Sequence, residues 1–223
     1  MTVSVHIEDG IAEVMLDHPP VNALDSSGWR KLSETIVSLG SDERVRVIVL
    51  GAEGRGFCAG VDVKELAEDS SLITKVNKGC YDAFAAIHDC PVPVIAACHG
   101  FVLGGGIGLA GSCDLIVAAD DASFGLPEID RGALGAASHL MRMFPIQKVR
   151  KMLFTGEPIS AQEAYRLGAL EAIVTREELM PRAREIARSI AAKSPKAMRL
   201  AKESVNGIEL LDVKRSYRFE QGF

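Results

Sequence analysis

The sequence predicts an α/β protein, a core of right-handed βαβ units continued by a run of helices. Three observations carry this. Short apolar, β-branched runs fall at 45–50, 93–98 and 114–119. Glycine-rich turns follow the first two of these runs, and helical periodicity fills the intervals. Buried strand, glycine turn and helix in alternation argue for a parallel sheet with crossover connections.

The elements follow in order. VSVHI and IAEVML flank Asp9-Gly10, the dipeptide of a two-residue hairpin turn. His18-Pro-Pro-Val-Asn-Ala-Leu breaks the second strand. From Ser26 or Ser27 as N-cap, Trp29, Leu32, Ile36, Val37 and Leu39 recur at helical spacing until Gly40. The strand at 45–50 delivers the chain to a glycine-punctuated loop over 51–60. Helical pattern runs from Lys64 to Ile87, interrupted at Asp69-Ser-Ser, and a strand follows at 93–98. Gly100-Phe-Val-Leu-Gly-Gly-Gly-Ile-Gly-Leu reads as glycines leading into a helix, followed by the strand at 114–119. Beyond Phe124 the pattern is helical, over 135–144, 147–154, 161–167 and 177–206. No internal repeat or low-complexity linker divides the chain.

With 223 residues, 48% of them hydrophobic, the chain can bury a full core as one domain. A net charge of −5 without a cationic cluster argues against nucleic acid as a partner, though a few amides and one or two cations suffice for a small anion. Five cysteines, an odd number without CxxC spacing, fit a reducing cytoplasmic compartment. The start lacks a signal-peptide pattern and no apolar stretch is long enough to span a bilayer, so no membrane partner is expected.

Two glycine segments draw attention. Arg55-Gly-Phe-Cys-Ala-Gly-Val-Asp-Val-Lys-Glu-Leu and Gly104-Gly-Gly-Ile-Gly each lead from a buried strand to a helix. A pair of such turns can aim one N–H each at the same oxygen and form an oxyanion hole, about 3 kcal/mol per donor; each alone also reads as a plain close-packing turn. Neither matches the dinucleotide or Walker pattern, so NAD and ATP are not expected. In Ala122-Ser-Phe-Gly-Leu-Pro-Glu-Ile-Asp-Arg-Gly, Glu128 sits among apolar residues, where burial would tune it for proton transfer; the alternative is an exposed turn carboxylate or a partner of Arg131. Asp130 reads as a surface or ion-pairing group, and His139 as a core or surface histidine and a secondary candidate. His99 reads as structural; His6, His18 and His88 lack metal-ligand spacing, so no metal is expected. No Gly-x-Ser-x-Gly elbow supports hydrolysis through a serine nucleophile.

In this order, the three segments resemble the crotonase (enoyl-CoA hydratase/isomerase) superfamily, from Pro20-Val-Asn-Ala-Leu to the C-terminal helices. The resemblance implies a crotonase-like (ClpP/crotonase) spiral of βαβ units, with an α/β core over 1–155 and a helical trimerisation region over 156–223, incomplete at its end. It implies an acyl-CoA thioester as substrate partner, coenzyme A as part of that substrate with no separate cofactor, and a homotrimer or hexamer. It puts the oxyanion donors on Val61 and Gly105, and the CoA contacts on Pro20, Val21, Ala23, Ala59, Asp62, Val63 and Lys64. Similar hydratases use two glutamates; the first falls here on Gly108 and the second on Glu128.

Arg131-Gly-Ala-Leu-Gly-Ala-Ala-Ser-His-Leu and Ser216-Tyr-Arg-Phe-Glu-Gln-Gly-Phe resemble the actinobacterial steroid-degradation branch of this superfamily. That implies hydrolytic C–C ring opening of a bicyclic CoA thioester, with Glu128 activating water and Asp130 or His139 assisting. The alternatives are an enoyl-CoA hydratase/isomerase of fatty-acid oxidation and a non-catalytic acyl-CoA-binding member.

Overall fold

The computed structural model describes residues 2–209 and 214. Strands β1 (Thr2–Glu8) and β2 (Ile11–Asp17) form the hairpin, with Asp9 and Gly10 both at positive φ, 51° and 80°, as a type I′ turn requires. The chain continues through β3 (Ala23–Leu24), α1 (Ser26–Ser41), β4 (Val47–Ala52), β5 (Gly60–Val61), α2 (Val63–Glu68) and α3 (Ile73–His88). Next come β6 (Val94–Cys98), β7 (Phe101–Leu103), α4 (Gly105–Ser112), β8 (Leu115–Ala119), β9 (Ser123–Gly125) and a 3-10 turn over Pro127–Arg131. The last part holds α5 (Ala137–Met143), α6 (Ile146–Thr155), β10 (Ile159–Ser160), α7 (Ala161–Arg166), β11 (Ala172–Val174), α8 (Arg176–Ala191) and α9 (Pro195–Ile208).

The main sheet has the order β1-β2-β4-β6-β8-β11, parallel except for the first pair. Its strands read as continuous apolar runs because both faces are covered. Ile48, Leu50, Val94, Ala96, Ile116 and Ala118 face the core shared with α1, α3 and α4. The alternate residues Val47, Val49, Ile95, Ala97, Val117 and Ala119 meet Leu179, Ala183, Ala187 and Ala191, one every fourth residue along α8. Two small sheets, β10-β9-β7 and β3-β5, lie outside this one and carry the glycine turns.

Several boundaries differ from expectation. The cap of α1 is Asp25, not Ser26 or Ser27: its Oδ1 accepts from the Gly28 amide at 2.6 Å. Gly40 lies inside the helix, where a Cβ would come within 2.9 Å of Pro91, so the glycine serves close packing rather than termination. β7, β9, β10 and β11 stand where no strand was expected, since two or three residues are too short to show a period. The helical stretch over 177–206 is two helices, parted at 192–194. The part beyond residue 155 supplies β11 to the main sheet and α8 to its face. Lys202 of α9 is buried; its Nζ donates to the carbonyls of Ile87 and Val92 at 3.2 Å each and to Asp114 Oδ2 at 2.7 Å. The Ser216 motif lies outside the described residues. Among the described residues, no helix is long and apolar enough to cross a membrane.

Candidate active site

The site begins at Asn22. Its backbone is at φ 51°, a conformation asparagine tolerates, and its side chain is buried. Oδ1 accepts from the His18 amide at 2.7 Å, while Nδ2 donates to the carbonyls of Glu53 and Gly56 at 2.8 Å each. Asn22 thus ties the turn before β3 to the loop before β5. The Val21 carbonyl accepts from Ala59 N at 3.2 Å, and β3 pairs with β5 in the register Ala23↔Gly60, Leu24↔Val61.

Asp62 N donates to Leu24 O at 2.9 Å. Successive amides of a strand point to opposite edges, so the Val61 N–H points away from β3. β5 also packs against α4. Gly60 is at φ 94°, and a Cβ there would stand 2.8 Å from Gly105 N. Gly105 opens α4, so its amide is one of the first-turn N–H groups without an intrahelical partner. The sequence runs Gly60 and Gly105 together because either Cβ would part them: one on Gly105 would lie 3.2 Å from Gly60 Cα and 2.7 Å from Trp29 Cη2. β5 therefore meets α4 at Gly60 and Gly105, which brings the Gly105 amide close to the strand that carries Val61.

Glu128 comes from the 3-10 turn after β9, and its carboxyl packs on Gly104: a Cβ on that glycine would collide with Oε1 and lie 3.2 Å from Cδ. Oε2 is buried without a hydrogen-bond partner. Burial pushes the carboxyl above the ordinary glutamate value, partly offset by its own backbone amide. A carboxyl of this kind exchanges protons closer to neutrality than a solvated one.

The other candidates separate. Asp130, two residues on, is exposed and directs its carboxylate at Gly156, where a Cβ would meet Oδ2 at 3.0 Å; it turns away from Gly104. His139 is fully buried against Gly111, six residues along α4 from Gly105, about 9 Å at 1.5 Å per residue. Burial holds its ring down at about 3, so it is neutral. Neither side chain is brought to the Glu128 carboxyl. Pro20 and Lys64 are exposed, Val63 is 56% exposed, and Val21, Ala23, Ala59 and Asp62 are half-buried around β3 and β5. Asp62 caps α2, its Oδ1 accepting from Lys64 N at 2.9 Å. Among the described residues, no group of three or more His, Cys, Asp or Glu is placed to hold a metal ion.

Sequence reasoning missed Asn22, Trp29 and Phe84. The Pro-Val-Asn turn was a signal for the first. Nothing local marks the other two, whose partners lie more than twenty residues away: Trp29 stacks edge-on with Phe84 (5.5 Å, 83°), and Phe84 with His139 (4.8 Å, 64°). A Cβ at Gly108 would lie 2.6 Å from Phe84 Cε1 and Cε2, so the ring fills the place of any side chain there.

The family model for enoyl-CoA hydratase/isomerase matches residues 6–220. A protein of Rhodococcus jostii named (7aS)-7a-methyl-1,5-dioxo-2,3,5,6,7,7a-hexahydro-1H-indene-carboxyl-CoA hydrolase is 50% identical over 217 residues, 96% of this chain and 84% of its own length. A protein of the same name from Mycobacterium tuberculosis is 47% identical over 97% of this chain and 88% of its own. The crystal structure of an enoyl-CoA hydratase from Mycobacterium smegmatis superposes with a TM-score of 0.88 at 32% identity, covering 99% of this chain and 88% of that one. With glycine turns meeting at β5 and α4 and the Glu128 carboxyl packed on Gly104 beside them, this chain belongs to the enoyl-CoA hydratase/isomerase family of enzymes acting on acyl-CoA thioesters.

Proposed function

We propose that this enzyme opens a ring of a bicyclic, sterol-derived keto-acyl-CoA by hydrolysing a C–C bond. The observation that carries the reading is the single carboxyl of Glu128 packed on Gly104 beside the close approach of Gly60 and Gly105, with Phe84 filling the place at Gly108 where a second carboxylate would stand. The two relatives named for a bicyclic dioxo-indene-carboxyl-CoA support the acyl group.

The thioester oxygen accepts from Val61 N and Gly105 N. Ionised Glu128 takes a proton from water as the oxygen attacks a ring ketone placed β to the thioester. The tetrahedral intermediate collapses, breaking the bond to the α-carbon, and the electron pair passes into the thioester enolate. Each amide facing that oxyanion contributes about 3 kcal/mol to its stabilisation. Glu128 then returns its proton to the α-carbon, leaving a carboxylic acid and an intact CoA thioester heavier by one water. Burial of Glu128 suits both transfers.

In this reading coenzyme A enters as part of the substrate and no separate cofactor is needed. The CoA lies along Pro20, Val21, Ala23 and Ala59, then Asp62, Val63 and Lys64, with Lys64 free to meet a phosphate. The region over 156–223 carries subunit contacts of a homotrimer or hexamer in the cytoplasm.

The test is mass spectrometry after incubation with bicyclic β-keto-acyl-CoAs and with linear enoyl-CoAs, alongside Glu128→Gln. A new carboxylic acid from the bicyclic set, lost in the variant, supports the reading. A 3-hydroxyacyl product from the linear set with no ring opening refutes it.

A further inference from the structure

We propose that Phe84 is a specificity-determining residue: by filling the space beside Gly108 it keeps a second proton-transfer side chain out of the site. This rests on the proposed hydrolysis and names what confines the site to it.

The argument is geometric. Gly104 caps α4 and its carbonyl accepts from the Gly108 amide at 3.3 Å, so Gly108 stands one turn into the helix from the residue on which the Glu128 carboxyl packs. A Cβ at Gly104 meets the Glu128 carboxyl. Helical Cβ atoms tilt toward the N-terminus, so a side chain at 108 would climb α4 toward that carboxyl. An acid or base there would be placed to oppose Glu128.

Phe84 of α3 occupies that place and has nowhere to go. It is 2% exposed, with Trp29 against one side and His139 against another. Trp29 is itself wedged under Gly105, and His139 is seated on Gly111. A close-packed stack of this kind does not yield to an added side chain without rearrangement.

The consequence is chemical. Hydrolytic ring opening passes one proton out and back through one carboxyl, from water to Glu128 and from Glu128 to the α-carbon. A second carboxylate facing Glu128 would hold and activate water at a different point, at the β-carbon of an enoyl thioester, and open the competing addition.

The experiment compares the full chain with Phe84→Ala, Gly108→Glu and the double variant on a bicyclic β-keto-acyl-CoA and a linear enoyl-CoA. The readout is the ratio of kcat/KM for hydration of the second over hydrolysis of the first. The expectation is that Gly108→Glu alone loses native near-UV circular dichroism or at least a hundredfold of activity. The double variant is expected to regain the native signal and raise the ratio at least tenfold over Phe84→Ala. A natively folded double variant with an unchanged ratio overturns the proposal, as does a Gly108→Glu chain with wild-type Tm and ratio.

Should the double variant not fold, Gly108→Ala and Phe84→Leu/Gly108→Ala decide by Tm. The inference expects Phe84→Leu to restore the Tm that Gly108→Ala loses; additive losses overturn it. Hydration gained by the double variant where the wild type opens no ring would uphold the role of Phe84 and sink the hydrolase reading, so the two fail separately.

Discussion

Replacing Gly104 by alanine tests the placement of Glu128 most directly. Gly104 is at φ 55° and ψ −118°, a region other residues rarely enter, and its missing Cβ leaves the space the Glu128 carboxyl occupies. Ordinary contact begins at 3.4 Å, so Oε1 must retreat by about 1 Å, a misplacement that costs on the order of a hundredfold in rate. The backbone strain adds about 1–3 kcal/mol of lost stability, a fall in Tm of roughly 2–12 °C for a chain of this size. Steady-state kinetics on the ring-opening substrate should show kcat down about a hundredfold, with KM changed by less than about threefold. A natively folded Gly104→Ala enzyme with kcat within twofold of wild type would refute the reasoning.

Four further outcomes follow from the structure. Because burial raises Glu128, and Glu128 acts as its ionised form, the acid limb of kcat/KM should lie above the usual carboxylate range; a limb at the ordinary value in a pH–rate profile counts against its burial. A carboxyl raised in the folded state contributes stability below its unfolded value of about 4.5 and loses it as pH rises through the folded value, so Glu128→Gln should exceed wild type in Tm at pH 8 and converge with it near pH 4. Asn22→Ala leaves the Glu53 and Gly56 carbonyls without their donor, which costs about 1–3 kcal/mol, and slackens the loop that carries Val61. Thermal scans should register the stability loss, and kinetics a fall of at least tenfold in kcat/KM; unchanged kinetics would deny Asn22 its positioning role. Lys202→Met removes the buried ammonium that ties α9 to Asp114 and leaves the Ile87 and Val92 carbonyls without their donor, at about 1–3 kcal/mol, and chemical denaturation should detect it as a lower midpoint.

The alternation of β-branched runs, glycine turns and helical pattern made the parallel core legible, because buried strands and amphipathic helices leave periodicities of their own in the chain. Asp9-Gly10 fixed the hairpin for a reason equally local, the positive φ its turn demands. The two glycine segments and Glu128 were visible as residue types in unusual company. Their convergence was not. That Gly60 meets Gly105, and that Gly104 receives the carboxyl of Glu128, are contacts between segments more than twenty residues apart, which no local pattern records.

The same limit hid the strands of two or three residues and the role of Asn22, whose partners lie across a loop. It also left Asp130 and His139 as possible helpers of Glu128 until their side chains were seen to face Gly156 and Gly111. Composition, periodicity and turn chemistry act between near neighbours and therefore determined the fold class and the candidates. Which candidates come together depends on how distant surfaces pack, and Phe84 pressed into the space beside Gly108 is something only the tertiary structure decided.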